Sequence, residues 1–574
     1  MGDSLPAPSH VLGRTDTALL EETLGTFLDR IASTHEDADA LVSGAQGVRL
    51  SYRRLRDEVD RVARGLLALG LLHGDRIGIW SPNRAEWVLT QLAAARVGLV
   101  LVTVNPAYRE LEALHALRLA GCRAVVAPES HKSSRYHDML RALQQGPQGN
   151  RLPALELVIT LDDAAGGVAQ AAGGGEVQQA VGATPGARWL GWAHLLEAAS
   201  RTDPGALAAA VARTRAAEPI NIQFTSGTTG APKGATLSHR NILNNGFFVG
   251  ETLRLAPADR LCLCVPLYHC FGLVMGVLGA LSHGAAVVLA GEGFDPGSTL
   301  DAVQAERCTT LYGVPTMFVA LLEEQSRAPR RVSSLRTGIM AGAPCPEAVM
   351  RAVIERLSMR EVTICYGMTE TSPVSFQSQV DDALAPRVET VGRVHPHVEV
   401  RIVDAQGRTV PRGTPGELLT RGYGVMLGYW EDAARTREAI DDDGWMHTGD
   451  LATIDEAGYG RIVGRIKDML IRGGENIYPR EIEEWLFQHE AVAEAQVFGV
   501  PDARWGEEVC AWVRLKPGHV LDAESLRQWC RERIAHYKVP RHVEFVEGFP
   551  MTVTGKVQKH LMREAMAARL AAAG

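Results

Sequence analysis

The first part of the chain alternates short apolar runs with longer segments of mixed polarity. Apolar runs at 75–80, 98–104 and 122–127 are predicted strands, and the segments at 84–96 and 109–120 are predicted helices. Apolar strands separated by helices of this length are typical of parallel βαβ units, in which helices cover the sheet. The pattern therefore predicts an α/β domain.

A different pattern begins near Arg465. Pro479 is predicted to open a helix, and a strand is predicted at 492–500, followed by a turn at Pro501-Asp502. One face of that helix is predicted to carry Ile482, Trp485, Leu486 and His489. A tail of about 110 residues is the right size for a small α+β domain.

Length and composition agree with a globular protein of at least two domains. The 574 residues exceed the size at which one hydrophobic core stops growing, about 250–300 residues. Hydrophobic residues make up 46% and charged residues 22%, and the net charge of -8 gives no basic footprint for nucleic acid. The Gly- and Ala-rich stretch at 162–188 is predicted to be a surface insertion rather than a domain boundary.

Cysteine usage and the first residues favour a cytoplasmic protein. The nine cysteines are odd in number and form no CxxC pair, so reduced thiols are expected. The acidic first thirty residues do not resemble a secretory signal. The apolar stretch at 270–291 is predicted to be a helix at 271–281 and a strand at 285–290. Each piece is too short to cross a bilayer, so no transmembrane segment is expected.

The strongest chemical signal is a loop that follows the predicted strand at 220–224. Its two glycines let the backbone approach a ligand, its hydroxyls and amides can donate to phosphate oxygens, and its lysine adds a positive charge. The residues concerned are Thr225, Ser226, Gly227, Thr228, Thr229, Gly230 and Lys233. This combination predicts a phosphate-binding loop.

The loop does not have the Walker A pattern. Pro232 stands where the second glycine of that pattern belongs, and Gly234 follows the lysine. A short strand at 234–237 is predicted next, before a helix capped by Ser238. Because a Walker A helix starts directly at its loop, a P-loop kinase is disfavoured.

Further motifs follow in a fixed order from about residue 30 to 560. They are Leu267-Tyr-His269, Met340-Ala-Gly-Ala-Pro344, Tyr366-Gly-Met-Thr-Glu370, Gly416-Glu-Leu418, Gly428-Tyr-Trp430, Thr448-Gly-Asp450, Gly464-Arg-Ile-Lys-Asp468, Gly473-Gly-Glu-Asn-Ile477 and Thr554-Gly-Lys556. Together with the loop they resemble the adenylate-forming superfamily of acyl-CoA synthetases, nonribosomal-peptide adenylation domains and firefly luciferase. Within it, Asn221-Ile-Gln-Phe224 and Arg472-Gly-Gly-Glu-Asn-Ile-Tyr-Pro479 are similar to the medium-chain fatty acyl-CoA ligases grouped as acyl-CoA synthetase family member 2.

The resemblance implies a fold and an activity. The fold is α/β, with a large N-terminal domain at 1–465 that carries an additional β-rich subdomain, and a small mobile α+β domain at 466–574 that rotates about a hinge at Lys467. The activity is activation of a small carboxylic acid by ATP and Mg²⁺, followed by acyl transfer to coenzyme A with release of AMP and pyrophosphate. The expected partners are these small molecules, with a homodimer as the candidate assembly.

The resemblance also implies residues that hold the nucleoside. Tyr366 would stack on adenine, for which a flat aromatic face is suited, with Gly367 beside it. Gly342 and Ala343 would lie along the other side of the base. Asp450 would accept hydrogen bonds from the ribose hydroxyls, and Arg465 would also contact the ribose. Without the resemblance, Asp450 reads as a capping or turn residue and Arg465 as a surface ion-pair partner.

The remaining implied roles concern the phosphates and coenzyme A. Glu370 would bind magnesium, Thr369 the α-phosphate, and Lys556 would stabilise negative charge in the first transition state. Gly473 and Gly474 would line the pantetheine passage. Without the resemblance, a solvated surface lysine is the favoured interpretation of Lys556.

The acyl pocket is the least defined part of the expectation. The resemblance places His269 beside the acyl channel, although a satisfied core histidine is as plausible. The weaker candidates are Phe271, Gly272, Val314 and Thr316. A medium-chain fatty acid is favoured by the resemblance only, and the alternatives are an aryl-CoA ligase, an adenylating enzyme with a carrier-protein acceptor, and a catalytically silent nucleotide-binding protein.

Overall fold

Two large, mostly parallel sheets form the frame of the N-terminal part of the computed structural model. The structure describes residues 7–145, 149–162, 186–225, 232–343, 345–472, 475–502, 504–551 and 557–573. The first sheet has eight strands. In spatial order they are Arg188–Gly191, Leu157–Thr160, Ala124–Ala127, Arg76–Ile79, Val100–Thr103, Pro219–Thr225, Lys233–Ser238 and Gly428–Tyr429. The first six run parallel, and the last two pair antiparallel.

The second sheet has nine strands and a parallel centre. In spatial order they are Arg393–Val394, Val374–Gln377, Glu361–Gly367, Thr337–Ala341, Thr310–Gly313, Arg260–Leu263, Ala286–Leu289, Asp39–Ser43 and Val48–Ser51. The antiparallel pairings lie only at its two margins. The carboxyl ends of its central strands therefore share one edge, where ligands bind in open α/β sheets.

The β-rich subdomain is a five-stranded antiparallel sheet. Its strands are His10–Leu12, Val398–Val403, Gly416–Gly422, Met446–Ile454 and Gly460–Arg465. The predicted α/β fold with an added β-rich subdomain is thus confirmed. Elsewhere, the short strands Ser130–His131 and Ser134–Arg135 pair as an antiparallel ribbon.

Helices fill the space between the two large sheets. All twelve residues of the helix Ala85–Arg96 are buried, because this helix contacts strands of both sheets. Ser238 caps the helix His239–Thr252 as predicted, and its hydroxyl accepts from the Asn241 amide. The predicted strands and helices between residues 75 and 127 all form, with ends that differ by two residues at most.

The other helices of the N-terminal part lie on or between these sheets. They are Leu24–Thr34, Tyr52–Ala68, Glu110–Ala120, Tyr136–Gln145, Trp192–Ala198, Pro204–Arg213, Pro296–Glu306, Pro315–Arg327, Glu347–Arg356, Leu384–Glu389 and Ala433–Ala439. Short 3₁₀ turns occur at Gly44–Gln46, Ala199–Arg201 and Thr369–Thr371. Residues 163–185, most of the predicted insertion, lie outside the described residues.

The predicted apolar helix at 271–281 has two parts. Phe271–Leu278 is a π-helix in which every residue is buried, and Gly279–Leu281 continues it as an α-helix. Gly284 follows with φ of +72°, and the predicted strand is Ala286–Leu289. Among the described residues, no helix has both the length and the apolar character that a bilayer span requires.

A separate sheet and core form the C-terminal part. The strands Glu475–Ile477, Leu470–Arg472, Gly506–Leu515 and Val492–Asp502 pair in this order, and His542–Phe545 pairs with Gly506–Leu515. The helices are Pro479–Leu486, Ala523–Arg531 and Lys559–Ala573, with a 3₁₀ turn at His536–Lys538.

Two predictions in this part were wrong in detail. The helix from Pro479 ends at Leu486, so His489 lies beyond it and packs edge-on against Trp529. The strand from Val492 continues through Pro501 and Asp502, which pair with the next strand. The turn comes later because the Asp502 carboxylate accepts from the amides of Arg504 and Trp505.

Candidate active site

The two ends of the predicted phosphate loop lie side by side. Thr225 ends one strand and Lys233 begins the next, and the two residues are directly paired across the antiparallel ladder. The imidazole Nε2 of His115 lies 2.8 Å from the carbonyl oxygen of Pro232 and so contacts the returning end of the loop. The loop residues Ser226, Gly227, Thr228, Thr229 and Gly230 lie outside the described residues.

Glu370 contacts Thr225 at one end of the loop, and it contacts Tyr429, whose ring lies beside Lys233 at the other end. It is in the 3₁₀ turn Thr369–Thr371 with an exposed fraction of 6%. Its Oε1 accepts from the Tyr429 hydroxyl at 2.9 Å and from the Thr225 hydroxyl at 3.4 Å. Among the described residues, no hydrogen bond reaches its Oε2, and no basic side chain forms an ion pair with it.

That environment fits a magnesium ligand. A buried carboxylate with one oxygen held and the other available suits a cation that takes few protein carboxylates and completes its shell with phosphate oxygens and water. The described residues hold no cluster of three or more His, Cys, Asp or Glu side chains arranged for a metal. The surroundings of Glu370 are those expected of a residue that binds magnesium together with nucleotide phosphates.

Tyr429 is the residue that the sequence reasoning missed. The motif Gly428-Tyr-Trp430 belongs to the ordered set, but the sequence alone assigns Tyr429 no role. In the structure, the Lys233 ammonium lies 4.7 Å from the centre of the Tyr429 ring. Burial and the neighbouring Glu370 raise the pKa of Tyr429 well above its usual value, so its hydroxyl stays protonated and donates.

Tyr366 and Asp450 come together from two different sheets. The Tyr366 hydroxyl donates to Oδ2 of Asp450 at 2.5 Å. Asp450 also forms an ion pair with Arg465 at 3.1 Å, across adjacent antiparallel strands. Burial and the Asp450 charge raise the pKa of Tyr366 well above its usual value. Three of the residues expected around the nucleoside are thus joined by one hydrogen bond and one ion pair.

The two glycines of the expected adenine site, Gly342 and Gly367, are each required for a different structural reason. Gly342 is exposed with φ of +87°, in the left-handed region that favours glycine, and a Cβ there would lie 3.2 Å from Cγ1 of Val314. A Cβ on Gly367 would lie 1.7 Å from the Pro373 carbonyl oxygen, so no side chain fits. Ala343 is exposed beside Gly342. The expected adenine segment therefore adjoins the acyl candidate Val314.

Two other acyl candidates, His269 and Phe271, lie at the start of the π-helix. His269 accepts from the Phe271 amide through Nδ1 at 3.2 Å, and the Cys270 sulfur lies 3.9 Å from the Thr369 hydroxyl. Phe271 stacks on Tyr312 with ring centres 5.7 Å apart. This contact chain brings the start of the π-helix beside Thr369.

Two weaker acyl candidates remain, Gly272 and Thr316. A Cβ on Gly272 would lie 2.2 Å from the Pro266 carbonyl oxygen, so close backbone packing already accounts for this glycine. Thr316 is exposed in the first turn of the helix Pro315–Arg327. Neither has a contact that assigns it to an acyl pocket.

Several expected residues cannot be placed in this arrangement. Lys556, Gly473 and Gly474 lie outside the described residues. Lys467 is exposed between the strand Gly460–Arg465 of the β-rich subdomain and the strand Leu470–Arg472 of the C-terminal sheet. Its hinge role stays a prediction.

Comparison with known proteins identifies relatives across nearly the whole chain. Residues 28–430 match the AMP-binding enzyme family, and residues 481–556 match the AMP-binding enzyme C-terminal domain. The medium-chain acyl-CoA ligase ACSF2, mitochondrial, of Mus musculus is 42% identical over 97% of this chain and 90% of its own length. The acyl-CoA synthetase YngI of Bacillus subtilis, named as putative, is 43% identical over 95% of this chain and 97% of its own length.

Solved structures agree with that relationship. ATP-bound MatB from Rhodopseudomonas palustris superposes with a TM-score of 0.79 at 31% identity, over 95% of this chain and 99% of its own. The anthranilate CoA ligase AuaEII in complex with anthranoyl-AMP superposes with a TM-score of 0.82 at 25% identity, over 97% of this chain and 99% of its own.

Proposed function

The chain belongs to the AMP-binding enzyme family as an ATP-dependent acyl-CoA synthetase, and from this we propose that it activates medium-chain fatty acids. The observation that carries the choice of acid is the 42–44% identity with several vertebrate medium-chain acyl-CoA ligases over 97% of the chain. The wholly apolar π-helix that starts beside His269 is compatible with an aliphatic chain.

The first half-reaction follows from the charges at the candidate site. The substrate carboxylate attacks the α-phosphorus of ATP, and pyrophosphate leaves. In our proposal, Lys233 and the phosphate loop bind the triphosphate, Glu370 binds the magnesium that accompanies it, and Thr369 donates to the α-phosphate. Bound magnesium would neutralise phosphate charge. Lys556 is assigned to the charge that develops between the carboxylate and the α-phosphate.

The nucleoside is held at the other end of the site. We assign the adenine to a position between Tyr366–Gly367 and Gly342–Ala343, and the ribose hydroxyls to Asp450 and Arg465. The hydrogen bond from Tyr366 to Asp450 supports this assignment, because it ties the stacking ring to the ribose acceptor. The acid would enter past His269, Phe271, Gly272, Val314 and Thr316.

The second half-reaction needs a rearrangement of the C-terminal part. The coenzyme A thiolate attacks the acyl-adenylate carbonyl, and AMP leaves. We propose a domain boundary after Arg465 with a hinge at Lys467, so that rotation exchanges Lys556 for the Gly473–Gly474 passage. The change of sheet membership between Arg465 and Leu470 supports a boundary there. A cytoplasmic location and a homodimer stay predictions, and the relatives named ACSF2 carry the word mitochondrial.

A substrate panel tests the proposed acid. Straight-chain acids from acetate to palmitate, and benzoate, are compared by pyrophosphate release with and without coenzyme A, and the thioester is measured by mass spectrometry. We expect the highest kcat/KM near octanoate and acyl-CoA formation that depends on both ATP and coenzyme A. A maximum with benzoate would replace the proposal with an aryl-CoA ligase.

Two variants test the assignment of the C-terminal residues. Lys556→Ala should abolish adenylation but leave thioester formation from supplied octanoyl-adenylate largely intact, because the lysine serves only the first step. Gly474→Leu should do the reverse by obstructing the pantetheine passage. Equal loss of both steps in either variant would contradict the assignment.

A further inference from the structure

Tyr429 connects the two charged side chains at the phosphate end of the site. Its hydroxyl donates to Glu370 at 2.9 Å, and the Lys233 ammonium lies 4.7 Å from its ring centre. Lys233 and Glu370 are both described, yet no ion pair joins them. A phenol side chain therefore contacts an ammonium with its ring and a carboxylate with its hydroxyl.

The backbone of Tyr429 is fixed on both sides. Tyr429 pairs with Ala235 in the antiparallel ladder, two residues after Lys233. Its amide donates to the Thr436 hydroxyl at 2.9 Å, which ties it to the helix Ala433–Ala439. With an exposed fraction of 8%, the side chain has little freedom. The ring is consequently a rigid spacer rather than a mobile surface group.

A spacer is useful because the Lys233 ammonium and the Glu370 carboxylate would otherwise form a direct ion pair. Opposite charges that pair directly in a partly buried site attract strongly. Such a pair would compete with the phosphates for the ammonium and with magnesium for the carboxylate. The negative face of an aromatic ring attracts an ammonium without a full opposite charge, and a phenol hydroxyl donates to a carboxylate without a positive charge.

We propose that Tyr429 is a positioning residue that holds Lys233 and Glu370 apart and oriented to receive ATP with its magnesium. This inference rests on the proposed function, since it uses the roles given there to Lys233 and Glu370. In this scheme, Tyr429 contacts neither the substrate carboxylate nor the α-phosphorus. It acts through the two side chains that do contact the ligand.

Two substitutions separate the hydroxyl from the ring. Tyr429→Phe keeps the ring under Lys233 and removes only the donor to Glu370. We expect the magnesium concentration for half-maximal pyrophosphate release to rise about 10-fold, with the KM for ATP at saturating magnesium nearly unchanged. Tyr429→Leu also removes the ring, and we expect that KM to rise about 5- to 10-fold as well.

A binding measurement gives a readout that does not depend on turnover. ATP is titrated calorimetrically into the full chain without any fatty acid, at a series of magnesium concentrations. Tyr429→Phe should weaken ATP binding about 10-fold at limiting magnesium and much less at saturating magnesium. A merely structural role would lower affinity equally at all magnesium concentrations.

Tyr423→Phe is the matched control. Tyr423 is also a buried tyrosine, six residues earlier, but its hydroxyl accepts from the Asn245 amide at 3.4 Å rather than contacting a carboxylate. We expect it to leave the magnesium requirement unchanged. Circular dichroism and thermal unfolding establish that each variant is folded.

A magnesium titration of Tyr429→Phe that overlays the native curve would overturn the inference. If Tyr429→Leu does not fold, the magnesium titration of Tyr429→Phe still decides. Absence of ATP binding by the native chain would instead contradict the proposed function, so the two failures are distinguishable.

Discussion

The end of the site that we assign to the phosphates (the phosphate end) and the end that we assign to the ribose (the ribose end) use similar side chains in different arrangements. Each has a carboxylate that accepts from a tyrosine hydroxyl, Glu370 from Tyr429 and Asp450 from Tyr366. At the ribose end, Arg465 pairs directly with the carboxylate at 3.1 Å. At the phosphate end, the lysine contacts the tyrosine ring and not the carboxylate.

The difference matches the charges of the expected ligands. A ribose diol is neutral and needs a hydrogen-bond acceptor and a donor, so a carboxylate already balanced by an arginine suits it. A triphosphate with magnesium brings both signs of charge and needs an unpaired ammonium and an unpaired carboxylate. Experiments can therefore test whether the separated charges of Lys233 and Glu370 and the paired charges of Asp450 and Arg465 have different effects on ligand binding.

The largest effect is expected from Glu370→Gln. The amide keeps the shape but removes the negative charge that would bind magnesium, and we expect kcat/KM for pyrophosphate release to fall about 100- to 1,000-fold. Magnesium titrations should show a strongly raised requirement. Glu324→Gln, at a buried glutamate paired with Arg327 and Arg330, is the control. An unchanged magnesium requirement in Glu370→Gln would remove the distinction between the two ends.

Asp450→Asn should have a smaller and different effect. Loss of the carboxylate weakens the ribose contact, and we expect the KM for ATP to rise about 10- to 100-fold without a change in magnesium requirement. Calorimetry with 2′,3′-dideoxy-ATP checks the reason. The native chain should bind this analogue poorly, and the variant should discriminate little between it and ATP. Full discrimination by the variant would exclude Asp450 from the ribose site.

Tyr366→Phe should raise the KM for ATP about 5-fold. The ring that stacks on adenine remains, but Asp450 loses its donor and part of its orientation. Steady-state titrations of ATP and magnesium should show the reverse of the pattern expected for Tyr429→Phe. If both variants changed the same parameter, the two ends would not differ as described.

The smallest effect concerns alkaline pH. Folding raises the pKa of both Tyr366 and Tyr429, chiefly by burial. Their contribution to stability is therefore complete below the unfolded pKa near 10 and is lost as the pH rises toward the higher folded values. We expect the free energy of unfolding to fall above pH 10, and to fall less in Tyr366→Phe/Tyr429→Phe, by about 1 kcal/mol. Urea unfolding at pH 9 and pH 10.5 tests this, and parallel losses in both proteins would contradict it.

Local patterns were sufficient for the elements and for the individual chemical groups. The alternation of apolar runs between residues 75 and 127 predicted strands and helices that the structure contains. The glycine, hydroxyl and lysine loop was recognisable because its chemistry lies within one short segment. The ends of elements were less predictable, as Pro501 shows. A proline breaks a ladder only where its missing amide is needed, and that depends on a partner strand distant in sequence.

The sequence by itself determined the α/β architecture, the family resemblance and a set of candidate residues, since these depend on periodicity and on residues close together along the chain. Only the tertiary structure decided that Tyr429 lies between Lys233 and Glu370, and that Asp450 is paired with Arg465 while Glu370 is not. The reason is that Lys233, Glu370 and Tyr429 come from segments far apart in the chain, and their contacts follow from strand pairing and burial. Which charges are neutralised and which are left for a ligand is a property of that packing.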